Sequence, residues 1–160
     1  MSRRTAALSL VLVLALSACH RTTSTPVSPA SPGPTQALDI TTANGPVHLI
    51  VELAITPEQQ QQGLMGRTAI PPDAGMTFLF DEPTSVRFWM KDTLIPLSIA
   101  FWDESGTIVD LEEMTPCTQD PCPTYGPSVP YRGAVEANAG FFTDHHVAVG
   151  DTVGWGMSRP

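Results

Sequence analysis

Proline is the residue that most restricts the fold of this chain. Sixteen of the 160 residues are proline, and they are spread from Pro26 to Pro160. Inside a helix, proline removes a backbone hydrogen bond and clashes with the preceding turn, so long helices are excluded. We therefore expect neither a helical bundle nor a coiled coil. The length allows one domain of ordinary size.

The charge balance excludes one class of partner. The chain has a formal net charge of −8, and its few lysines and arginines do not cluster. A negative surface repels phosphate backbones, so we expect no binding to nucleic acid.

The N-terminus has the pattern of a secretory signal. Arg3 and Arg4 precede an apolar run over 6–16, which is too short to cross a hydrocarbon core of about 30 Å as a helix. The residues from Leu16 to Cys19 resemble the lipobox of bacterial lipoproteins. That resemblance implies cleavage before Cys19, lipid on this cysteine, and an extracytoplasmic protein anchored to a membrane of the bacterial cell envelope. Ordinary signal cleavage beside an unrelated cysteine is the alternative.

Three segments follow from composition: a signal peptide over 1–18, a tether over 19–36 and a folded domain over 37–157. The tether is rich in proline, serine and threonine and has almost no apolar bulk. Such a segment cannot bury enough surface to offset its chain entropy.

Cys117 and Cys122 lie close together in a proline-rich stretch. Outside the cytoplasm, such a pair most often forms a structural disulfide, which we expect here. A redox-active pair usually has two residues between its cysteines, and a metal site would need further ligands nearby.

Turn signals and apolar alternation predict a mostly β domain. Asn44-Gly45 predicts a hairpin between strands over 37–42 and 47–54. Thr56, Pro57 and Gln59 predict a capping box that opens a short helix over 57–62. The domain is then a compact antiparallel sandwich or barrel with one or two short helices. The other expected elements are strands over 76–80, 86–91, 97–102, 107–112, 133–138 and 152–157, and a second short helix between 139 and 146.

Four blocks of sequence also match a known pattern. They are Gly63-Leu64-Met65 with Arg67; Gly75-Met76 with Phe78 and Phe80; Phe88 to Thr93 with Pro96-Leu97; and Val135-Glu136 with Gly140 and Gly150-Asp151. Together they resemble domain-of-unknown-function family 192, also catalogued as UPF 0127, over about 50–153. The resemblance implies a jelly-roll-like β fold, often exported or membrane-anchored, and no established activity. Two positions depart from the family's pattern, which has asparagine at Asp92 and aspartate at Ser98.

One candidate site is a shallow groove. On a strand over 86–91, Arg87, Trp89 and Lys91 share a face, and on the next strand Ser98 and Trp102 share another. If these strands pair, indole rings and cations lie beside small residues, a composition that suits sugars or anions. A solvated face with ordinary cation–aromatic contacts is the alternative.

A second candidate site is a set of charges, Lys91-Asp92 followed by Thr93, together with Arg67 and Glu136. Buried charges are usually paired, so these groups either form an internal network or line a ligand pocket. Catalysis is a third interpretation, with Glu136 and Asp92 as a carboxylate pair for a saccharide or other polar substrate.

Metal chemistry is weakly indicated. Methionines among phenylalanines and leucines are usually core fillers, and adjacent histidines on a strand point to opposite faces, so we expect no copper site and no cofactor. The residues concerned are Met65, Met76, Met90, Met114, His145 and His146.

Three functions remain open. We expect a non-catalytic binding or accessory module for an envelope glycan, another polymer or a partner protein. A hydrolase that uses Glu136 and Asp92 is the alternative. The sequence has no nucleophile elbow, phosphate loop or HExxH signature. A purely structural lipoprotein domain is the third.

Overall fold

A computed structural model describes residues 33–156 of the chain. The domain is mostly β, as the sequence predicts, with nine strands and two short helices in this part of the chain. The predicted signal peptide, Cys19 and most of the predicted tether lie outside the described residues, as does Met157. The first strand begins at Thr35, and the carbonyl of Pro34 already accepts a hydrogen bond from the amide of Leu53.

The elements follow the chain in a simple order. They are β1 (Thr35–Thr42), β2 (Gly45–Ala54), α1 (Pro57–Gln62), β3 (Ala74–Thr84), β4 (Phe88–Trp89), β5 (Leu97–Trp102), β6 (Ile108–Met114), β7 (Thr124–Tyr125), β8 (Tyr131–Asn138), α2 (Phe141–Asp144) and β9 (Thr152–Trp155). The hairpin at Asn44-Gly45, the capping box of α1 and the bounds of β5 agree with the sequence prediction.

Seven strands form one sheet in the order β6-β5-β8-β3-β2-β1-β9, and β4 pairs with β7 in a small second sheet. Neighbouring strands are antiparallel except β2 and β3, which run parallel because α1 and the following turns carry the chain back across the sheet. The outer strands approach each other through one isolated bridge, Thr107 to Thr152, and the sheet does not close into a barrel within the described residues. The result is a compact, sandwich-like domain.

The large sheet separates two hydrophobic cores, because successive side chains of a strand point to opposite faces. The first, here the α2-side core, includes Trp102, Val135 and Phe142. The second, here the cavity-side core, includes Phe78 and Phe101 and is covered by the segment from β4 to β5 and by β7. The two faces of β5 predicted from its sequence are thereby confirmed.

The predicted strand over 86–91 is wrong for most of its length. Only Phe88 and Trp89 pair as a strand, and their partner is β7, which the sequence analysis missed. A turn follows at once, with the amide of Thr93 bonded to the carbonyl of Met90. The segment cannot pair with β5, because β6 and β8 already occupy both edges of that strand.

A disulfide joins Cys117 and Cys122, as predicted, with their Cα atoms 5.6 Å apart. The amide of Cys117 donates to the carbonyl of Met90. The disulfide loop is thus attached to the segment that follows β4, and it leads directly into β7.

Candidate functional site

A cavity of about 250 Å³ opens on the cavity-side core. Its walls come from four places: the end of α1 with the turn after it, strand β3, the segment from 86 to 93, and strand β8. The walls are rich in apolar and aromatic side chains, and glutamines stand at one side. The lining residues that the argument uses are Phe78, Phe80, Val86, Phe88, Trp89 and Glu136.

Helix α1 is fixed over the sheet by local hydrogen bonds. Thr56 caps it by accepting from the amide of Gln59, whose side chain accepts in return from the amide of Thr56. The side-chain amide of Gln60 donates to the carbonyl of Leu79 at 2.8 Å. One wall of the cavity is therefore held against β3 rather than free to drift.

The opposite wall is held by Arg87. Its guanidinium donates to the hydroxyl and the carbonyl of Thr124, at 3.0 and 2.9 Å, and to the carbonyl of Gly126 at 2.8 Å. A planar fork with several donors can join two chain segments in this way. Arg87 thereby fastens β7 to β4 and fixes Phe88 and Trp89 at the cavity.

Glu136 is the one carboxyl group that lines the cavity among the residues that the structure describes. It lies on β8 between Met76 of β3 and Ile99 of β5, and only 5% of its surface is exposed. Its Oε2 has no hydrogen-bond partner. Burial among apolar side chains raises the pKa of Glu136 from 4.5 to about 8. At neutral pH the group is therefore mostly a neutral acid.

Arg67 does not reach Glu136. Its guanidinium binds both carboxylate oxygens of Glu52, with Nη1–Oε1 at 2.5 Å and Nη2–Oε2 at 2.7 Å. The hydrogen bond and charge of Glu52 outweigh partial burial and raise the pKa of Arg67. An internal network of Lys91, Asp92, Arg67 and Glu136, one of the alternatives left open by the sequence, is not formed as such, because β2 supplies a different partner for the arginine.

Trp89 of β4 and the residues that follow it differ in exposure and in their contacts. Trp89 is half exposed, and Nζ of Lys91 lies 5.6 Å from the centre of its ring. Nζ of Lys91 also lies 3.7 Å from Oδ2 of Asp120 in the disulfide loop. Thr93 is buried and lines the cavity. Of the predicted groove, Arg87 and Trp89 line the cavity, whereas Lys91 contacts Trp89 and is not part of the lining.

Asp92 has a positive φ of 54° and its carbonyl accepts from the amide of Gly66. Asparagine and aspartate tolerate this left-handed conformation better than most residues. The departure at Asp92 from the family's asparagine therefore keeps the backbone geometry of the turn. Its side chain is not part of the cavity lining.

Ser98 and Trp102 lie on the other face of the sheet, so the expected groove beside them is wrong. Both are buried. The hydroxyl of Ser98 donates to Glu113 at 2.5 Å and accepts from the amide of Gly140 at 2.8 Å. Ser98 thus joins β6 to the turn before α2, while Trp102 packs over Gly133 in the α2-side core.

Sequence reasoning missed most of the cavity wall. Phe78, Phe80 and Phe88 resemble ordinary core residues, and nothing local shows that the core stops short of filling the space between them. The glutamines at the end of α1 carried a signal, since a short helix ending in Gln60, Gln61 and Gln62 has few apolar positions to bury.

Metal and membrane features give no further site. Within residues 33–156, no group of three or more His, Cys, Asp or Glu side chains is arranged to hold a metal ion. In the same range, no helix combines the length and apolarity needed to span a membrane.

Comparison with known proteins supports the fold. The sequence profile of DUF192, described as "Uncharacterized ACR", matches residues 39–155. A crystal structure from Sinorhizobium meliloti 1021, described as a "putative transcription regulator", is 34% identical with a TM-score of 0.70, over 77% of this chain and 95% of that one. A protein of unknown function from Novosphingobium aromaticivorans DSM 12444 is 29% identical with a TM-score of 0.73, over 81% and 91% of the two chains. No curated protein matches the sequence.

Proposed function

Because this chain belongs to the DUF192 family, whose description assigns no activity, we propose from its own geometry that it is a non-catalytic module that binds a small ligand in the cavity above Glu136. The observation that carries the proposal is the position of this carboxyl. The residue is buried, its Oε2 has no hydrogen-bond partner, and its side chain contributes to the cavity lining.

The energetics favour a functional role for Glu136. A buried polar group without a hydrogen bond costs about 1–3 kcal/mol, and an apolar residue of similar volume would avoid that cost. Groups that reduce stability in this way are concentrated at functional sites. The cavity also has a useful size, since about 150 Å³ is enough to bind benzene and this one is about 250 Å³.

A binding role fits the lining better than hydrolysis. Glycoside cleavage needs two carboxyl groups about 5–9 Å apart on either side of the bond. Glu136 lines the cavity and Asp92 does not. The carboxylate pair of the alternative hypothesis is therefore not supported by the geometry.

The description of the Sinorhizobium protein as a "putative transcription regulator" does not fit the charge of this chain. The net charge of −8 opposes contact with a nucleic-acid backbone.

The binding test uses three benzene-sized probes, namely benzyl alcohol, benzylammonium and benzoate, with calorimetry on the full chain. We expect at least one to bind. Val86→Trp places a larger side chain in the cavity lining and should weaken that binding tenfold or more. Val149→Trp is the matched control, because Val149 is an exposed valine outside the lining, and it should bind as the wild type does. Absence of binding by all three probes, or equal binding by Val86→Trp, would contradict the proposal.

We also propose that Cys19 anchors the protein to a membrane of the cell envelope, with the proline-rich segment as a tether. The support is the lipobox-like sequence from Leu16 to Cys19. Incorporation of labelled palmitate into the full chain in a bacterial host should be detected, and Cys19→Ser should abolish it. Cys117→Ser is the control and should keep the label. Equal labelling of wild type and Cys19→Ser would refute anchoring at this residue.

A further inference from the structure

The aromatic walls of the cavity favour a particular charge in its occupant. Phe78, Phe80, Phe88 and Trp89 all contribute to the lining. Phe78 and Phe88 pack edge to face with their ring centres 4.9 Å apart, so these walls are held by each other. The faces of aromatic rings are electrostatically negative and attract cations, most strongly where water is excluded.

Glu136 lacks the cation that a buried carboxylate normally has. Among the described residues, no ion pair joins a basic side chain to Glu136: Arg67 pairs with Glu52, Lys91 with Asp120 and His48 with Asp39, and Arg132 of β8 forms none. The guanidinium of Arg87 is directed to the carbonyls of Thr124 and Gly126. Within the described residues, the protein therefore pairs no cation with Glu136, and a counter-ion for its ionised form has to come from a ligand.

We propose that the ligand is a compact organic cation, a primary or substituted ammonium on a body about the size of a benzene ring, whose positive charge pairs with Glu136 while the aromatic walls enclose the rest. This inference rests on the proposed function, because it names the ligand class of the same cavity. The acidic character of the whole chain adds a long-range attraction for such a ligand.

Binding then includes a proton transfer. The acid form of Glu136 loses its proton to solvent, and the carboxylate so formed pairs with the incoming ammonium. Because burial raises the pKa of Glu136 to about 8, the ionised fraction falls about tenfold for each pH unit below 8. The affinity for a permanent cation should fall in the same proportion.

Other charged groups around Glu136 do not replace this dependence. Met76, Phe78 and Ile99 on the adjacent strands are uncharged. Two strands away on either side, Glu52 is paired with Arg67, and Glu112 accepts from the amide of Gly126. The remaining charged groups on the covering segment are Arg87, Lys91 and Asp92, whose contacts are described above.

The experiment compares benzylammonium with benzyl alcohol, which have nearly the same shape and differ in charge, and with benzoate, which has the opposite charge. At pH 8, we expect the full chain to bind the ammonium at least tenfold more tightly than the alcohol and to bind benzoate least. Between pH 8 and pH 6, affinity for the ammonium should fall about 50-fold, while affinity for the alcohol should change little.

Two further measurements isolate Glu136. Calorimetry of the ammonium at pH 6 in two buffers of different ionisation enthalpy should show release of about one proton per ligand, and this needs no variant. Glu136→Gln should bring the ammonium and the alcohol to within about threefold of each other.

The outcomes separate this inference from the proposed function. If the alcohol binds in the cavity and the ammonium binds no better, the module binds ligands but the cation inference is wrong. The inference also fails if the preference for ammonium is independent of pH, releases no proton, or persists in Glu136→Gln. If no probe binds, both proposals fail.

Discussion

Within residues 33–156, each face of the large sheet contains one buried side-chain polar atom without a partner, and the two cases differ in their surroundings. Thr77 of β3 points into the α2-side core, between Leu53 and Val135 on the neighbouring strands. Glu136 of β8 points to the cavity-side core and lines an open space. An isolated unpaired hydroxyl in a filled core is a small structural defect. An unpaired carboxyl at a cavity is a group that a ligand can reach.

The contrast shows how the domain divides its tasks between two faces. The α2-side core is filled by apolar side chains and supplies stability through burial and close packing. The cavity-side core is closed by a short helix, a two-stranded sheet and a disulfide loop, which leave room between them. Function is therefore expected on the second face, and substitutions on the two faces should behave differently.

The largest expected effect is the pH dependence caused by Glu136. Its pKa is raised from 4.5 to about 8 in the folded state, so folding favours the protonated form. The stabilising contribution is fully present below pH 4.5 and is lost as pH rises toward 8, at about 1.4 kcal/mol per unit. Relative to Glu136→Gln, the free energy of unfolding of the wild type should fall by about 3 kcal/mol between pH 4.5 and 7.

Urea denaturation of both proteins across this pH range measures the difference directly. The variant removes the titrating group and keeps a side chain of nearly the same shape. Parallel pH profiles for the two proteins would show that Glu136 is not buried as described.

A smaller effect is expected from Gly133→Ala on the α2-side face. A Cβ at this position would overlap the indole atoms Cζ2 and Cε2 of Trp102, which lies over the glycine. Overpacking of this kind typically costs 1–3 kcal/mol, and we expect about 2 kcal/mol. Gly154→Ala is the matched control, since a Cβ there has no neighbour within 4 Å and should change stability by less than about 0.5 kcal/mol. Equal stability of the two variants would mean that this face is less tightly packed than the structure shows.

The smallest effect is expected from Thr77→Val, which tests the comparison most directly. The substitution keeps the shape and removes the unpaired hydroxyl, so the free energy of unfolding should rise by about 1 kcal/mol. Binding of the probe that the wild type accepts should be unchanged, because Thr77 faces away from the cavity. A loss of stability would show that the hydroxyl has a partner after all, and a change in binding would contradict the separation of the two faces.

The parts of the fold that the sequence predicts well depend on local signals. The hairpin at Asn44-Gly45, the capping box at Thr56 and the bounds of β5 are encoded within a few residues, and the structure confirms them. The disulfide between Cys117 and Cys122 is a further local prediction that the structure confirms.

The parts that the sequence does not predict depend on pairing between distant segments. Strand β7 consists of Thr124 and Tyr125 and exists through contact with β4 and Arg87, which are almost 40 residues earlier in the chain. No local pattern separates a two-residue strand from a loop. The parallel pairing of β2 and β3 likewise depends on how α1 and its turn are placed across the sheet.

The sequence predicts the candidate site only in part, because the site also depends on contacts between distant segments. The sequence shows Glu136 as a charge within an apolar strand. It does not show that Glu136 has no ion-pair partner, because Arg67 is a suitable partner by sequence alone. That arginine binds Glu52 instead, which follows from the register of β2 relative to the turn after α1. Ser98 and Trp102 do not lie beside Arg87 and Trp89 as expected. Strands β6 and β8 occupy both edges of β5, so the segment from 86 to 91 cannot pair with it.

The pairing of β1 with β9 has a consequence for how the domain can be combined with other sequences. Leu38 lies opposite Trp155, and the amide of Gly156 donates to the carbonyl of Ala37. The first and last described strands thus bring the two ends of the folded unit to one place on its surface. A unit whose ends meet can be inserted into a loop of a host protein without forcing that loop apart. The domain can therefore be fused to either end of another protein or inserted into one of its loops.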